Sequence, residues 1–240
     1  MRAAPCFIAA VVVAVSLAPG EARAEPSRFH LDADLTTDFP VAIGGRVGLE
    51  LPYRLRLSTS LGYLPSPYVE AINGFLVAIK AFDDATSALV KSALKSSLVW
   101  RTHVGIRPFA RHGFVIDAGY GLVTLGGSAT ASELLAATTG QAPPEGDPGS
   151  SRNFSLGSTL HMLDVEFGWE WLILERLHLR AALGGAFTVG SSTSIEPDYR
   201  PRAPQATKIY TTASEAYLDN IYTSYVFTPV ISVGVGYRFF

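Results

Sequence analysis

The last ten residues, Ile231-Ser232-Val233-Gly234-Val235-Gly236-Tyr237-Arg238-Phe239-Phe240, alternate in character almost without a break. Ile231, Val233, Val235, Tyr237 and Phe239 fall on one side of an extended chain, and Ser232, Gly234, Gly236 and Arg238 fall on the other. That is the period-2 pattern of a two-sided strand. One side expects oil and the other does not. In a bilayer an unpaired edge leaves backbone groups without partners, so a strand of this kind predicts an antiparallel sheet closed on itself, the last strand sealed against the first.

The same period recurs along the chain and predicts eight strands, near residues 27–37, 41–51, 53–64, 97–108, 112–126, 156–172, 175–190 and 223–240. Each is long enough to cross a membrane, which takes about 9–11 residues. Their connections alternate in length. Leu51 to Arg54, Pro108 to Gly113 and Leu174 to Arg176 are short, whereas 65–96, 127–155 and 191–222 are long, with a fourth, shorter loop expected near Asp38 and Pro40. If both termini face the periplasm, the short links are periplasmic turns and the long ones extracellular loops. A loose repeat, Val47-Gly48-Leu49-Glu50 before Leu55-Arg56-Leu57 and Val104-Gly105-Ile106-Arg107 before Phe114-Val115-Ile116-Asp117, marks two hairpins of similar build.

The front of the chain supplies an export route. Arg2 precedes an apolar run from Phe7 to Ala18, and Ala22-Arg23-Ala24 offers small residues at a cleavage site, which predicts a signal peptide over 1–24 and a barrel domain over 25–240. The apolar run is too short for a helical span, which needs about 20 residues. Cleavage removes the lone cysteine, Cys6, and with it disulfides and thiolate metal sites. It leaves 17 basic and 20 acidic side chains, a net charge near −3, which is no footprint for nucleic acid.

The long loops differ in character. Ile72, Phe75, Leu76, Ile79 and Phe82, followed by Ala85 and Leu89, fall at helical spacing and predict one amphipathic helix within 65–96. Residues 127–155, rich in Gly, Ala, Ser, Thr and Pro, predict a mobile loop with little to bury. Asn153-Phe154-Ser155 matches a glycosylation sequon by chance.

Assigning faces by parity puts Leu31, Val47, Leu49, Leu55, Leu57, Leu61, Val104, Ile106, Ile116, Val165, Phe167, Leu179, Leu183 and Val233 toward lipid. Tyr63, Trp100, Phe114, Trp171 and Tyr237 lie near strand ends on that side, where aromatic girdles belong, while Tyr120 and Trp169 fit less neatly. The opposite face collects Asp32, Asp34, Glu50, Asp117, Asp164, Glu166 and Glu170 with Arg46, Arg54, Arg56, Arg101, Arg107, Arg180 and Arg238. His30, His103 and His178 join them, as do many glycines. An eight-stranded barrel has room inside for side chains and little else, so these charges predict a connected, lumen-filling network rather than an ion path.

Catalytic and cofactor chemistry is weakly represented. Ser158, His161 and Asp164 are the one local Ser/His/acid group, but His161 has the parity of the lipid face and Asp164 that of the lumen. Histidines at 30, 103, 112, 161 and 178 form no metal-spaced pair, and Asp32-Ala33-Asp34 opens no calcium loop. Gly234-Val235-Gly236 lacks the strand-turn-helix setting of a dinucleotide loop. No enzyme, metal or cofactor is expected.

Signal peptide, eight alternating strands, unequal connections and the closing Val-Gly-Val-Gly-Tyr-Arg-Phe together resemble the small bacterial outer-membrane β-barrel family that includes OmpA-type transmembrane domains. The resemblance implies an all-β, eight-stranded, antiparallel up-and-down transmembrane barrel with one amphipathic helix in an extracellular loop. It also implies that Tyr237, Phe239 and Phe240 act as a C-terminal signal for the barrel-insertion machinery, with Phe240 out of phase by one place. Outer-membrane lipids and lipopolysaccharide would be its surroundings, and its loops would serve envelope structure or surface interaction. Passive transport of a small or apolar solute and lipid A modification are the alternatives.

Overall fold

The computed structural model describes residues 29–78, 96–109, 113–139, 151–173, 175–225 and 227–239. The proposed signal peptide, the distal part of the loop helix expected from Ile79 onward, and Phe240 lie outside them. Eight strands follow in order: β1 (His30–Phe39), β2 (Ala42–Glu50), β3 (Leu55–Tyr63), β4 (Ser96–Ile106), β5 (Phe114–Thr130), β6 (Asn153–Ile173), β7 (Leu177–Pro197) and β8 (Phe227–Arg238). Each pairs antiparallel with its sequence neighbour, and β1 pairs with β8 to close the barrel. The closing register sets Asp32 opposite Arg238 and Thr36 opposite Gly234. With an even strand count the chain enters and leaves at the same rim, the one that carries the short turns.

The barrel is turned inside out relative to a soluble domain. Val47, Leu55, Leu57, Leu61, Val104, Ile106, Val165, Phe167, Leu183 and Val233 are 40–62% exposed on its outer surface, whereas Asp117, Glu166 and Arg180 are almost completely buried within it. Such a surface is stable only against another apolar phase. Aromatic girdles border this belt. At the short-turn rim Phe114 packs between Phe109 and Trp169, with centroids 6.2 and 4.7 Å away, and Tyr237 packs on Phe239 at 5.3 Å. Toward the long-loop rim stand Phe39, Tyr63, Trp100 and Tyr120, with Phe187 stacked on Phe227 at 4.7 Å. Tyr120 and Trp169, awkward by parity alone, belong to these two girdles.

Three strands run well beyond the outer girdle. β5, β6 and β7 remain paired as far as Thr130–Asn153 and Phe154–Pro197, while β4 and β8 end opposite Gly126 and Phe187. The outward residues of this extension, such as Thr124, Ser128, Ser155, Ser194 and Glu196, are polar, so it stands clear of the apolar belt. A bulge eases the transition: His161 pairs with Gly190 but Met162 with Thr188, leaving Val189 as the extra residue on β7.

The loops correct the sequence expectation of a single helix. Beside α1 (Ser66–Ala78) there are α2 (Ala131–Thr139) and α3 (Pro204–Tyr225). Thus 127–139 is not a mobile loop: it is strand through Thr130 and then helix. Thr130 caps α2, its hydroxyl accepting from the Glu133 amide at 3.2 Å while Glu133 accepts from the Thr130 amide at 2.7 Å, a capping box. Likewise 223–225, expected as strand, complete α3. The expected fourth loop shrinks to Pro40 and Val41, because β1 continues through Phe39. α1 is fastened at its start, where the Tyr68 hydroxyl meets that of Thr37 at 2.5 Å and its ring packs edge-on against Phe39.

Candidate functional site

The lumen has two tiers. Near the short-turn rim it is ionic. Arg238 holds Asp32 at 2.7 Å, and Arg107 joins Glu50 at 3.0 Å to Glu170 at 2.9 Å. One layer deeper, Arg56 meets Glu170 at 2.5 Å, and Arg180 bridges Asp117 at 2.7 Å and Glu166 at 2.9 Å. His178 stands between Asp34 at 2.8 Å and Glu170 at 3.5 Å. Deepest, Arg101 contacts Asp38 at 2.9 Å and also both Asp164 and Glu166, and His103 lies 3.1 Å from Asp164.

Glycines on facing strands make this density possible. A Cβ on Gly105 would collide with the Asp117 carboxylate, and one on Gly119 with Asp164 and His103. Arg46 is the least satisfied member. Its only carboxylate within 4.0 Å among the described residues is Glu166 at 3.6 Å, shared with Arg101 and Arg180, and none of its guanidinium nitrogens has a hydrogen-bond acceptor.

Of the fourteen charged residues assigned to the lumen from sequence, the structure brings thirteen together. Arg54 is the exception. It sits in the Pro52–Arg54 turn with φ 64°, is exposed, and donates to the Pro108 carbonyl at 3.1 Å. The left-handed backbone of Tyr53 and Arg54 breaks the parity by which it was placed inside. Asp38 takes its place in the count, since the longer β1 turns it inward to Arg101 and to the Ser232 hydroxyl at 2.5 Å. The described lumen therefore holds eight carboxylates and six arginines, and both buried histidines lie on carboxylates.

The second tier, toward the long-loop rim, is apolar. Val99, Val123, Leu125, Phe154, Leu156, Leu160, Met162, Ile195 and Val230 point inward and are buried against Leu134 and Ala137 of α2 and Leu218 and Tyr222 of α3. Parity reasoning gathered the inward charges and passed over these residues. α3 also seals the edge that β7 exposes beyond β8. Glu215 accepts the Ile195 amide at 2.8 Å, Asp219 accepts the Thr193 hydroxyl at 2.7 Å, and its carbonyl accepts the Ser191 hydroxyl at 3.1 Å. Burial in this tier pushes the phenols of Tyr210 and Tyr222 up to about 12.

Neither catalytic nor metal chemistry is assembled from the candidates. Ser158 points inward to Thr193 at 3.0 Å, while His161 points outward to the Tyr120 hydroxyl at 2.5 Å. The neighbouring bulge takes its extra residue from β7, so the parity of β6 is unbroken. His103, Asp164 and Glu166 place potential ligand atoms within 4.8 Å of one another, but the Arg101 guanidinium touches both carboxylates and already supplies the cation. No helix among the described residues is long and apolar enough to cross a membrane, which bears only on helical spans.

No family model and no curated protein matches the sequence. Solved structures do. The N-terminal β-barrel domain of Pseudomonas aeruginosa OprF is 11% identical with a TM-score of 0.40, over 88% of this chain and 96% of that one. Acinetobacter baumannii CarO2 is 12% identical with a TM-score of 0.39, over 88% and 98%. A major outer membrane protein of Thermus thermophilus is 12% identical with a TM-score of 0.43, over 90% and 100%. At this distance the fold rests on the closed ladder, the apolar belt and the girdles. The chain has the fold of a small outer-membrane β-barrel.

Proposed function

We propose that this protein is a non-enzymatic integral outer-membrane barrel whose lumen is closed and whose work is done by the structured cap that β5, β6, β7, α2 and α3 build beyond the membrane. In this reading the short-turn rim and both termini face the periplasm, and the cap faces outward as a surface for envelope or intercellular contact. The observation that carries it is the double filling of the lumen. Ionic contacts occupy the half at the short-turn rim, and an apolar core, completed by the loop helices, occupies the other. A solute path would have to part both.

Purified protein in a planar bilayer tests this directly. Silence at all moderate voltages is expected, and discrete single-channel openings would refute the sealed scaffold in favour of passive transport. Tyr237 and Phe239 lie outward at the sealing strand, where an insertion machinery reading the C-terminus would meet them. Incubation with lipopolysaccharide followed by mass analysis of lipid A is expected to return the lipid unchanged.

A further inference from the structure

We infer that the tip of the cap is a docking surface for an extended polyanion approaching from outside the cell, an acidic or sulfated polysaccharide by chemistry. This rests on the outward orientation of the cap proposed above. The exposed cations described at the long-loop end are confined to one place: Arg152 before β6, and Arg200, Arg202 and Lys208 on the segment that leads from β7 into α3. Backbone pairing of the Asp198 amide with the Asn153 carbonyl, 3.1 Å, ties the two segments together.

None of the four has a carboxylate partner among the described residues, whereas every other described arginine contacts a carboxylate, a carbonyl or a hydroxyl. The acids close by have other duties. Asp198 accepts from Ser155 at 2.5 Å, Glu133 caps α2, and Glu215 and Asp219 hold the β7 edge, which leaves exposed Glu196.

The placement of these cations works against the helix they adjoin. A helix N-terminus carries partial positive charge and is stabilised by acidic residues, yet the first turn of α3 has none and is flanked by Arg202 and Lys208. The partial positive charge of the helix start and the like-signed side chains beside it form an anion-seeking surface. The surface is also preformed. Arg152 lies over the Tyr199 ring at 4.8 Å, and Phe154, buried below, packs on Tyr199 at 5.7 Å and Tyr210 at 6.2 Å.

Height identifies the source of the anion. From His161 at the outer girdle to Asn153 the strand rises ~26 Å along its length, or ~20 Å above the interface at a typical barrel tilt. The phosphates of the membrane's own lipid A lie at that interface, well below the tip. A polymer in the surrounding medium reaches it.

The test uses the full-length exported protein in detergent micelles, with fluorescent dextran sulfate as probe and neutral dextran as control. Binding of dextran sulfate alone is expected, weakening as salt rises. The triple variant Arg200→Glu, Arg202→Glu, Lys208→Glu should weaken it by at least about tenfold. Arg54→Gln with Arg176→Gln, at the opposite rim, should leave it unchanged. Absence of binding, equal binding by the triple variant, or displacement of the probe by vesicles containing lipid A would each overturn the inference. A heat-dependent shift in electrophoretic migration is read in parallel. Wild type that lacks the shift overturns the barrel on which the cap stands, whereas shifted protein that ignores dextran sulfate overturns this inference alone.

Discussion

Glu166 is the residue on which the ionic tier turns, because three guanidinium groups converge on its one carboxylate. Glu166→Gln keeps the shape and removes the charge, leaving Arg46 with no ion-pair contact among the described residues and Arg101 and Arg180 with fewer. Breaking a buried ion pair by removing one partner costs about 3–5 kcal/mol, so the heat-modifiability midpoint of this variant should fall steeply. Steric control is a separate effect at the same scale. Gly119→Ala drives a methyl into Asp164 and His103 and should cost about 1–3 kcal/mol, as overpacking does. Gly48→Ala is the contrast, since nothing lies within 4 Å of its added Cβ, and its midpoint should match wild type. The charged set was legible from parity because strand side chains alternate strictly. It failed at Arg54, where a positive φ interrupts the alternation, and at Asp38, where the strand outruns the hydropathy that marked its end.

Among the elements, α3 was the least legible and is the most consequential. Its buried stripe, Thr211, Ser214, Leu218, Ile221 and Tyr222, keeps helical spacing but is half polar, so no hydrophobic run announced it. α2 carried a plainer mark in Thr130 and Glu133, three residues apart, a capping box set in a loop whose composition suggested disorder. The extension of β7 was hidden for another reason: past the bulge Ser191 and Thr193 face in while Ser192 and Ser194 face out, so polarity no longer alternates. The docking of α3 has a pH signature. Burial raises Tyr222 from 10.0 to about 12, which favours the neutral phenol in the folded cap. Its contribution is therefore complete below pH 10, the value in an unfolded chain, and is lost as pH climbs through about 12. Ultraviolet absorbance of phenolate should show two late-titrating tyrosines, Tyr210 and Tyr222, of which Tyr222→Phe removes one. Titration of all tyrosines together near pH 10 would show that the helix does not bury this ring.

At the scale of the whole molecule the closed β1–β8 seam and the two tiers act in series, so permeability depends on both seals rather than on either alone. Replacing α3 by a short glycine-serine link strips the apolar tier of Leu218 and Tyr222 and uncovers the edge of β7, but leaves Arg101, Arg180 and Glu166 locked across the lumen below. That variant should remain folded and electrically silent. Arg101→Ala with Glu166→Ala does the reverse, removing the contacts to Asp38 and Asp164, releasing Arg46 and leaving Arg180 on Asp117, while the apolar tier still bars ions that would have to shed water to pass. It too should be silent, though less stable. Only the combination removes the apolar tier together with the deepest ionic layer, and planar-bilayer recording should then find discrete openings that neither parent shows. Openings in the α3 replacement alone would mean that the ionic tier does not fill the bore. Silence in the combined variant, if it still shows its heat-dependent shift, would mean that the remaining ionic layers, Arg56 and Arg107 on Glu170 and Arg180 on Asp117, close the bore by themselves.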